Sequence, residues 1–277
     1  MTIYIFGANG MLGNYMNMYL TSQNKKCICF TRADLDVSTV TYDKLKHLLI
    51  DRYNLNPDDV ILNCIGIIPQ SKGINDTSVR NYFLINSLFP NMLSTIASIN
   101  KIRFIHITTD CVFSGSRGNY TEVDEHDEMN HYGVSKSLGE LGYNATVLRT
   151  SIIGEELKNK YSLLEWVKQH NNTAINGYTN HHWNGITCLQ LAKIIDQMIT
   201  EKIWWKGVRH IFSPTSVTKF ELVQMINDVY KLNNTVLPLE TKYTTNKTLN
   251  SIHDDNSHFN IPELNIQIEE LFNVAFL

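Results

Sequence analysis

The sequence predicts an α/β chain: a doubly wound parallel sheet with a smaller, interleaved C-terminal lobe. Three observations point there. Short runs of β-branched and aromatic residues alternate with longer amphipathic stretches over residues 1–150. Those runs are continuously apolar, as strands covered on both faces must be. A glycine-spaced turn stands directly between the first run and the first amphipathic stretch.

Taken in order, strands are expected over 3–6, 27–30, 60–64, 102–108 and 146–149. Helices are expected between them, over 11–21, 42–52, 79–99 and 132–143. The right-handed crossover rule then places helices on both faces of the sheet. After 150 the regularity weakens. Residues 162–170 read as a short helix, with Ser162 as N-cap and Glu165 three residues on. Residues 187–200 carry Leu189, Ala192, Ile195, Met198 and Ile199 near helical spacing. Residues 208–212 read as a strand, and 218–230 as a helix with Phe220, Val223, Ile226 and Val229 on one stripe. From 233 on, turns around Pro238 and Pro262 precede a short terminal helix. The expected division is a nucleotide-binding domain over 1–150 and a substrate-binding lobe over 151–277, parts of which return to the first sheet.

Composition agrees with a packed enzyme-sized chain. The 277 residues are 43% hydrophobic and 18% charged, too apolar and too weakly charged for a disordered chain. A net charge of −3 argues against a nucleic-acid partner bound by broad phosphate neutralisation. No apolar run is long enough to span a bilayer, so no membrane partner is expected. The N-terminus lacks the basic region and cleavage site of a signal peptide. Cys27, Cys29, Cys64, Cys111 and Cys188 are odd in number and form no C-x-x-C pair, which predicts reduced thiols in the cytoplasm.

The turn is Gly7-Ala8-Asn9-Gly10-Met11-Leu12-Gly13. Gly7 permits the tight turn, Gly10 lets backbone approach a pyrophosphate, and Gly13 lets the helix pack close to the sheet. Asn9, Met11 and Leu12 complete the loop, and the helix N-terminus offers free N–H groups to phosphate. At the tip of the second strand, where an acidic residue would bind a ribose 2′-hydroxyl, stands Arg32. A guanidinium favours a 2′-phosphate, so NADPH is expected over NADH. Asp36 and Val37 are placed to flank the adenine.

Tyr132-Gly133-Val134-Ser135-Lys136 puts a phenol and an ammonium at i and i+4 on one helical face. The ammonium is expected to lower the phenol's pKa, so that Tyr132 donates a proton to a ketone receiving hydride. Lys136 is expected also to hold the nicotinamide ribose. Glu140, one turn on, reads as a solvated helix position. Thr108-Thr109-Asp110-Cys111 follows the fourth strand, at the carboxyl end where open α/β sheets bind ligands. Thr109 can hydrogen-bond the substrate carbonyl oxygen, and Asp110 can bind a sugar hydroxyl or cap the turn.

These pieces together resemble the extended short-chain dehydrogenase/reductases, whose sheet is of Rossmann type, and within them the dTDP-4-dehydrorhamnose reductases. The matching residues are Gly7–Gly13, 31–36, Asn63-Cys64-Ile65-Gly66, Asn86, Thr108–Gly115, Tyr132-Gly133-x-Ser135-Lys136-x-x-Gly139-Glu140 and Leu148-Arg149-Thr150-Ser151. The resemblance implies NADPH-dependent reduction of a 4-keto group on a nucleotide-linked 6-deoxysugar, with Thr109, Tyr132 and Lys136 catalytic. It also implies that Cys64, Ile65 and Gly66 line the cofactor, and that the protein is a homodimer built through helices flanking the sheet.

Two departures stand out. That reductase family carries tyrosine where Cys111 stands, and an aromatic after Arg149-Thr150-Ser151 where Ile152 and Ile153 stand. Cys111 resembles the acid/base cysteine of GDP-fucose synthases, which epimerise beside the ketone before reducing it. A thiol tuned toward neutrality suits that step. Lys160 is the expected second acid/base, ahead of His170, His181 and His182. The pattern is similar to bifunctional 3-epimerase/4-reductases acting on UDP-2-acetamido-2,6-dideoxy-hexos-4-uloses, which make UDP-N-acetyl-L-rhamnosamine, so UDP is expected over dTDP. The alternatives are a plain 4-keto-6-deoxyhexose reductase, or a binding module like the NADP-binding β subunit of methionine adenosyltransferase. The adjacent His181-His182 have no ligand-spaced partner, so no metal is expected. They read as a turn before the Thr187 helix, with Trp183 lining the sugar or base pocket.

Overall fold

A computed structural model describes residues 1–70, 78–140, 144–158 and 160–274. The first half alternates β1 (Ile3–Phe6), α1 (Met11–Ser22), β2 (Cys27–Phe30), α2 (Tyr42–Lys46) with a π turn (His47–Arg52), and β3 (Val60–Asn63). There follow α3 (Val79–Phe83), a second π turn (Leu84–Leu88), α4 (Phe89–Ile99), β4 (Arg103–Thr109), α5 (His131–Gly139) and β5 (Thr146–Thr150). The end of the helix expected over 132–143 lies outside the described residues.

The second half adds β6 (Ile152–Ile153), α6 (Leu163–Gln169), β7 (Ala174–Tyr178), β8 (His181–Trp183), β9 (Ile186–Thr187), α7 (Cys188–Glu201) and β10 (Gly207–His210). It closes with β11 (Val217–Thr218), α8 (Lys219–Val229), β12 (Thr235–Leu239), β13 (Thr245–Asn246), α9 (Asp255–His258) and α10 (Leu264–Asn273).

Six strands form one parallel sheet in the order β10-β5-β4-β3-β1-β2. The pleat sorts its side chains between two cores. Ile3, Ile5, Val60, Leu62, Ile105, Ile107 and Leu148 face α1 and α7. Tyr4, Phe6, Ile61, Phe104 and Val147 face the side holding Leu45, Leu49, Phe89, Leu93 and Ile96. Both faces are covered, so the sheet is doubly wound. β10 comes from the second half yet pairs with β5 at the sheet edge. The smaller pairings are β7 with β12, β6 with β9, and β8 between β11 and β13.

The helix expected over 79–99 is interrupted. Pro90 sits at the start of α4 and has no N–H for the carbonyl of Asn86, so the ladder widens into the π turn there. The freed region is used: an added Cβ on Gly139 would come within 2.1 Å of that carbonyl oxygen, so α5 packs directly onto it. The stretch expected to be a turn at His181–Trp183 is instead β8, and Thr187 caps α7 by accepting from Gln190 N–H.

Candidate active site

A cavity of about 580 Å³ opens along the carboxyl ends of β1, β3, β4 and β5. Its floor at one end is the glycine loop. Gly7 has φ +84°, and Gly10 N–H donates to its carbonyl at 2.9 Å. A Cβ on Gly13 would lie 2.1 Å from the same oxygen, so only glycine brings α1 this close. Gly10 caps α1 with no side chain, and Asn9, Gly10, Met11 and Leu12 line the cavity. The first-turn N–H groups therefore point at open space suited to phosphate.

Gly7 and Ala8 N–H both donate to the Phe30 carbonyl, at 2.9 and 3.3 Å, which holds the end of β2 beside the loop. Arg32 is exposed there. Asp36 accepts from Ser38 N–H at 3.0 Å, and this turn, with the Arg32 charge, holds its carboxyl below the usual range. Neither residue lines the cavity. Val37 does not flank an open site at all: its side chain is buried in the core with Tyr4 and Phe30, on the turns that follow β2.

Cys64, Ile65 and Gly66 line the cavity after β3. Asn63 orders this segment by accepting from Ile65 N–H at 3.1 Å. Asn86 then ties it to α5. Its side chain accepts from Ile67 N–H at 3.0 Å and donates to Ile67 O and Ser135 Oγ at 3.1 Å each. Lys136 Nζ lies against Gly66, where an added Cβ would come within 2.7 Å of it.

Thr109 Oγ1 donates to Asp110 at 3.1 Å and accepts from Cys111 N–H at 3.2 Å. Asn130 caps α5 by accepting from Gly133 N–H at 2.8 Å. A Cβ on Gly133 would meet the Cys111 carbonyl oxygen at 2.6 Å, so glycine lets α5 lie on the turn after β4. Tyr132 and Thr109 share a side-chain hydrogen bond as a result. Thr109, Tyr132, Lys136, Cys111, Asp110 and Trp183 all line the one cavity.

The structure differs from the sequence expectation at four residues, Tyr132, Cys111, Lys160 and Glu140. Burial, with Cys111 and Asp110 nearby, raises the Tyr132 phenol above its ordinary value instead of lowering it. Burial and the Asp110 charge push the Cys111 thiol up to about 12, away from neutrality. Lys160 does not line the cavity: it is exposed, in a left-handed turn with φ +54°. Burial lowers the Lys136 ammonium to about 8, against the pull of Glu140. Glu140 is not solvated either. It is 8% exposed and accepts from Thr108 Oγ1 at 2.8 Å and Arg149 Nε at 3.2 Å.

Among the cavity residues that sequence reading missed are Lys219 and Lys247. Lys219 is the first residue of α8, after a capping box of Thr218 and Glu221, and its Nζ lies 4.6 Å from the Trp183 ring centroid. Lys247 pairs with Glu128 at 3.3 Å. The Thr218-x-x-Glu221 spacing was the available signal for the first: it fixes a helix start and so leaves a lysine at the positive end. Among the described residues no cluster of His, Cys, Asp and Glu is suited to a metal, and no helix is long and apolar enough to cross a membrane.

The chain is similar to characterised and solved proteins along most of its length. It is 25% identical over 233 residues, 80% of this chain and 76% of the other, to a dTDP-4-keto-6-deoxy-D-glucose reductase of Streptomyces niveus. It is 27% identical to a probable low-salt glycan biosynthesis reductase of Haloferax volcanii, over 55% of this chain and 54% of that protein. A dTDP-4-dehydrorhamnose reductase of Bacillus anthracis, solved in complex with NADP, superposes with a TM-score of 0.80 at 19% identity over 98% of both chains. The family model described as RmlD substrate binding domain matches residues 1–254, which takes in the glycine loop, the Thr109 and Tyr132 wall and the lobe carrying Lys219 and Lys247. By that match, this chain belongs to the RmlD family.

Proposed function

We propose that the chain reduces the 4-keto group of a nucleotide-linked 4-keto-6-deoxyhexose with NADPH. Its substrate on this reading is UDP-2-acetamido-2,6-dideoxy-hexos-4-ulose, epimerised at C3 in the same cavity to a UDP-L-rhamnosamine-type sugar. The observation that carries the reading is the convergence, in one cavity, of the glycine loop with Thr109, Tyr132 and Lys136. The similar reductases of Streptomyces niveus and Bacillus anthracis support the reduction. Cys111 supports the epimerisation.

The residues present fit the cofactor. The Gly7–Gly13 cradle admits no Cβ at Gly13, and the Lys136 ammonium faces the Gly66 backbone without a side-chain partner among the described residues. When bound, NADPH supplies a hydride. Gly10 to Leu12 hold its phosphates, Arg32 favours the 2′-phosphate, and Lys136 holds a ribose. Thr109 orients the ketone oxygen, and Tyr132 gives it a proton as it becomes an alkoxide. Burial keeps the phenol protonated but makes it a weaker acid, so the transfer is driven by the strong basicity of the alkoxide that forms as the ketone is reduced. Lys136 then steadies the phenolate left behind until solvent returns the proton. Cys111, protonated at neutral pH, is suited to deliver a proton to a carbon that the adjacent ketone has acidified.

The test is NADPH oxidation by the purified protein with the UDP-sugar in heavy water. We expect turnover and deuterium at C3 of the product. Turnover without deuterium reduces the reading to a plain reductase; no turnover with this sugar or with dTDP-4-keto-6-deoxyglucose overturns it. Among UDP, dTDP and GDP, UDP should raise the melting temperature furthest. Exposed Val79, Leu88, Ile99 and Leu138 along α3 to α5 support a homodimer through that flank, testable by light scattering. Five free cysteines are consistent with a reducing, cytoplasmic setting.

A further inference from the structure

Inverting a carbon beside a ketone takes two groups: one removes a proton from one side and another returns it from the other. Cys111 supplies one such group, from the turn after β4. Of the other titratable groups in the cavity, Tyr132 and Lys136 serve the reduction. Lys247 is paired with Glu128, and Glu156 accepts from Tyr161 N–H at 2.9 Å. Asp110 is held by Thr109. Lys219 is left.

We infer that Lys219 is the base that removes the sugar C3 proton, working across the cavity from Cys111, which returns one. The inference rests on the epimerase reading above and supplies its missing residue. Lys219 enters from α8, an element of the second half, whereas Cys111 enters from the main sheet, so the two reach the cavity from different walls. Its Nζ sits over the Trp183 ring at 4.6 Å and, among the described residues, makes no hydrogen bond or ion pair. Asp110 and Cys111 lie within electrostatic reach.

The placement is costly for a charge. The side chain is half-buried and stands at the first position of a helix, where the dipole is positive. Burial lowers it to about 8, with Asp110 opposing. Near neutral pH a working share is therefore free amine, which can accept a proton. A lysine kept only for its charge or for stacking on Trp183 would serve better as arginine; arginine cannot act as the base.

The proton balance closes without a redox change. The Lys219 amine takes the C3 proton, and the C–H electron pair becomes an enolate conjugated with the 4-keto group. The Cys111 S–H bond breaks as its proton forms the new C3–H bond on the other side. Lys219 ends as ammonium and Cys111 as thiolate, and exchange with solvent resets both.

The experiment incubates the full chain with NADP⁺ and UDP-2-acetamido-2,6-dideoxy-hexos-4-ulose in heavy water, so that reduction is silent, and reads deuterium at C3 by NMR. The wild type should exchange. Lys219→Met and Lys219→Arg should each lose exchange by about a hundredfold or more, while NADP⁺ and UDP still raise their melting temperatures. Exchange at close to the wild-type rate in either Lys219 variant overturns the assignment and leaves the epimerase reading standing. A wild type that does not exchange overturns both.

Discussion

Helix α5 carries two buried charges one turn apart, and they are treated in opposite ways. Glu140 accepts from Thr108, from Arg149 Nε and, in a short contact, from Arg149 Nη2. Arg149, 2% exposed, also donates to His210 Nε2 and His126 Nε2, each at 2.7 Å, and His210 Nδ1 donates to the Asn250 carbonyl at 2.6 Å. Each charge in this sealed cluster has a partner. Lys136, 6% exposed, has no hydrogen bond or ion pair among the described residues. Burying a charge is costly unless it is paired. The paired charge holds β4, β5, β10 and α5 together, whereas the unpaired one faces the cavity.

The contrast breaks or holds on mutation. The largest effect should come from Tyr132→Phe, which removes the proton donor and nothing that packs. NADPH oxidation should fall by about 10²- to 10⁴-fold, the usual worth of a positioned acid, with the melting temperature unchanged. Next are the two charges themselves. Glu140→Ala strands Arg149 in the core and should cost about 3–5 kcal/mol, the usual penalty for breaking a buried pair, read by urea unfolding. Lys136→Met should abolish turnover and NADPH stabilisation without lowering the unfolding free energy. If both variants unfold equally easily, Lys136 is structural and the contrast is wrong.

How much of this was legible follows the range of the interactions. The apolar runs of β1 to β5 and the Gly7–Gly13 spacing are local, and the structure forms elements where they stand. Thr109, Tyr132 and Lys136 were legible because a strand end and one helical turn suffice to place them. Glu140 was misread as solvated because its partners are Thr108, His126 and Arg149, from three separate segments. The break in the 79–99 helix had a local sign, Pro90, that apolar periodicity obscured. The second half was least legible. β7 pairs with β12 across some sixty residues, Ala174 against Thr235, and β12, almost wholly exposed and carrying Pro238, reads as a turn. Lys160 was placed by loop position alone, and the fold turns it outward.

Acid should separate the two regions next. Burial, then Arg149, lowers the His210 imidazole from 6.5 to about 4. In the fold it is neutral, its Nε2 accepting from Arg149. Below about 6.5 the unfolded chain takes up a proton that the folded chain refuses, so stability should fall as pH drops from about 6.5 to about 4. His126, also lowered by burial, adds in the same direction. A melting temperature that stays flat across this window would mean that the cluster does not depend on neutral histidine.

The smallest effect concerns the other arginine. Arg149 is sealed and paired; Arg32 is exposed beside the glycine loop, held there because Gly7 and Ala8 bind the Phe30 carbonyl. Arg32→Ala should therefore leave the melting temperature in place. A hydrogen bond to a charged group contributes about 1.5–3 kcal/mol, and solvent screening at an exposed site trims it further. The expected loss is about tenfold in kcat/KM for NADPH, with kcat/KM for NADH unchanged, because only the 2′-phosphate distinguishes the two. Equal losses for both coenzymes would make Arg32 a general support of the loop, and no loss for either would remove it from cofactor selection.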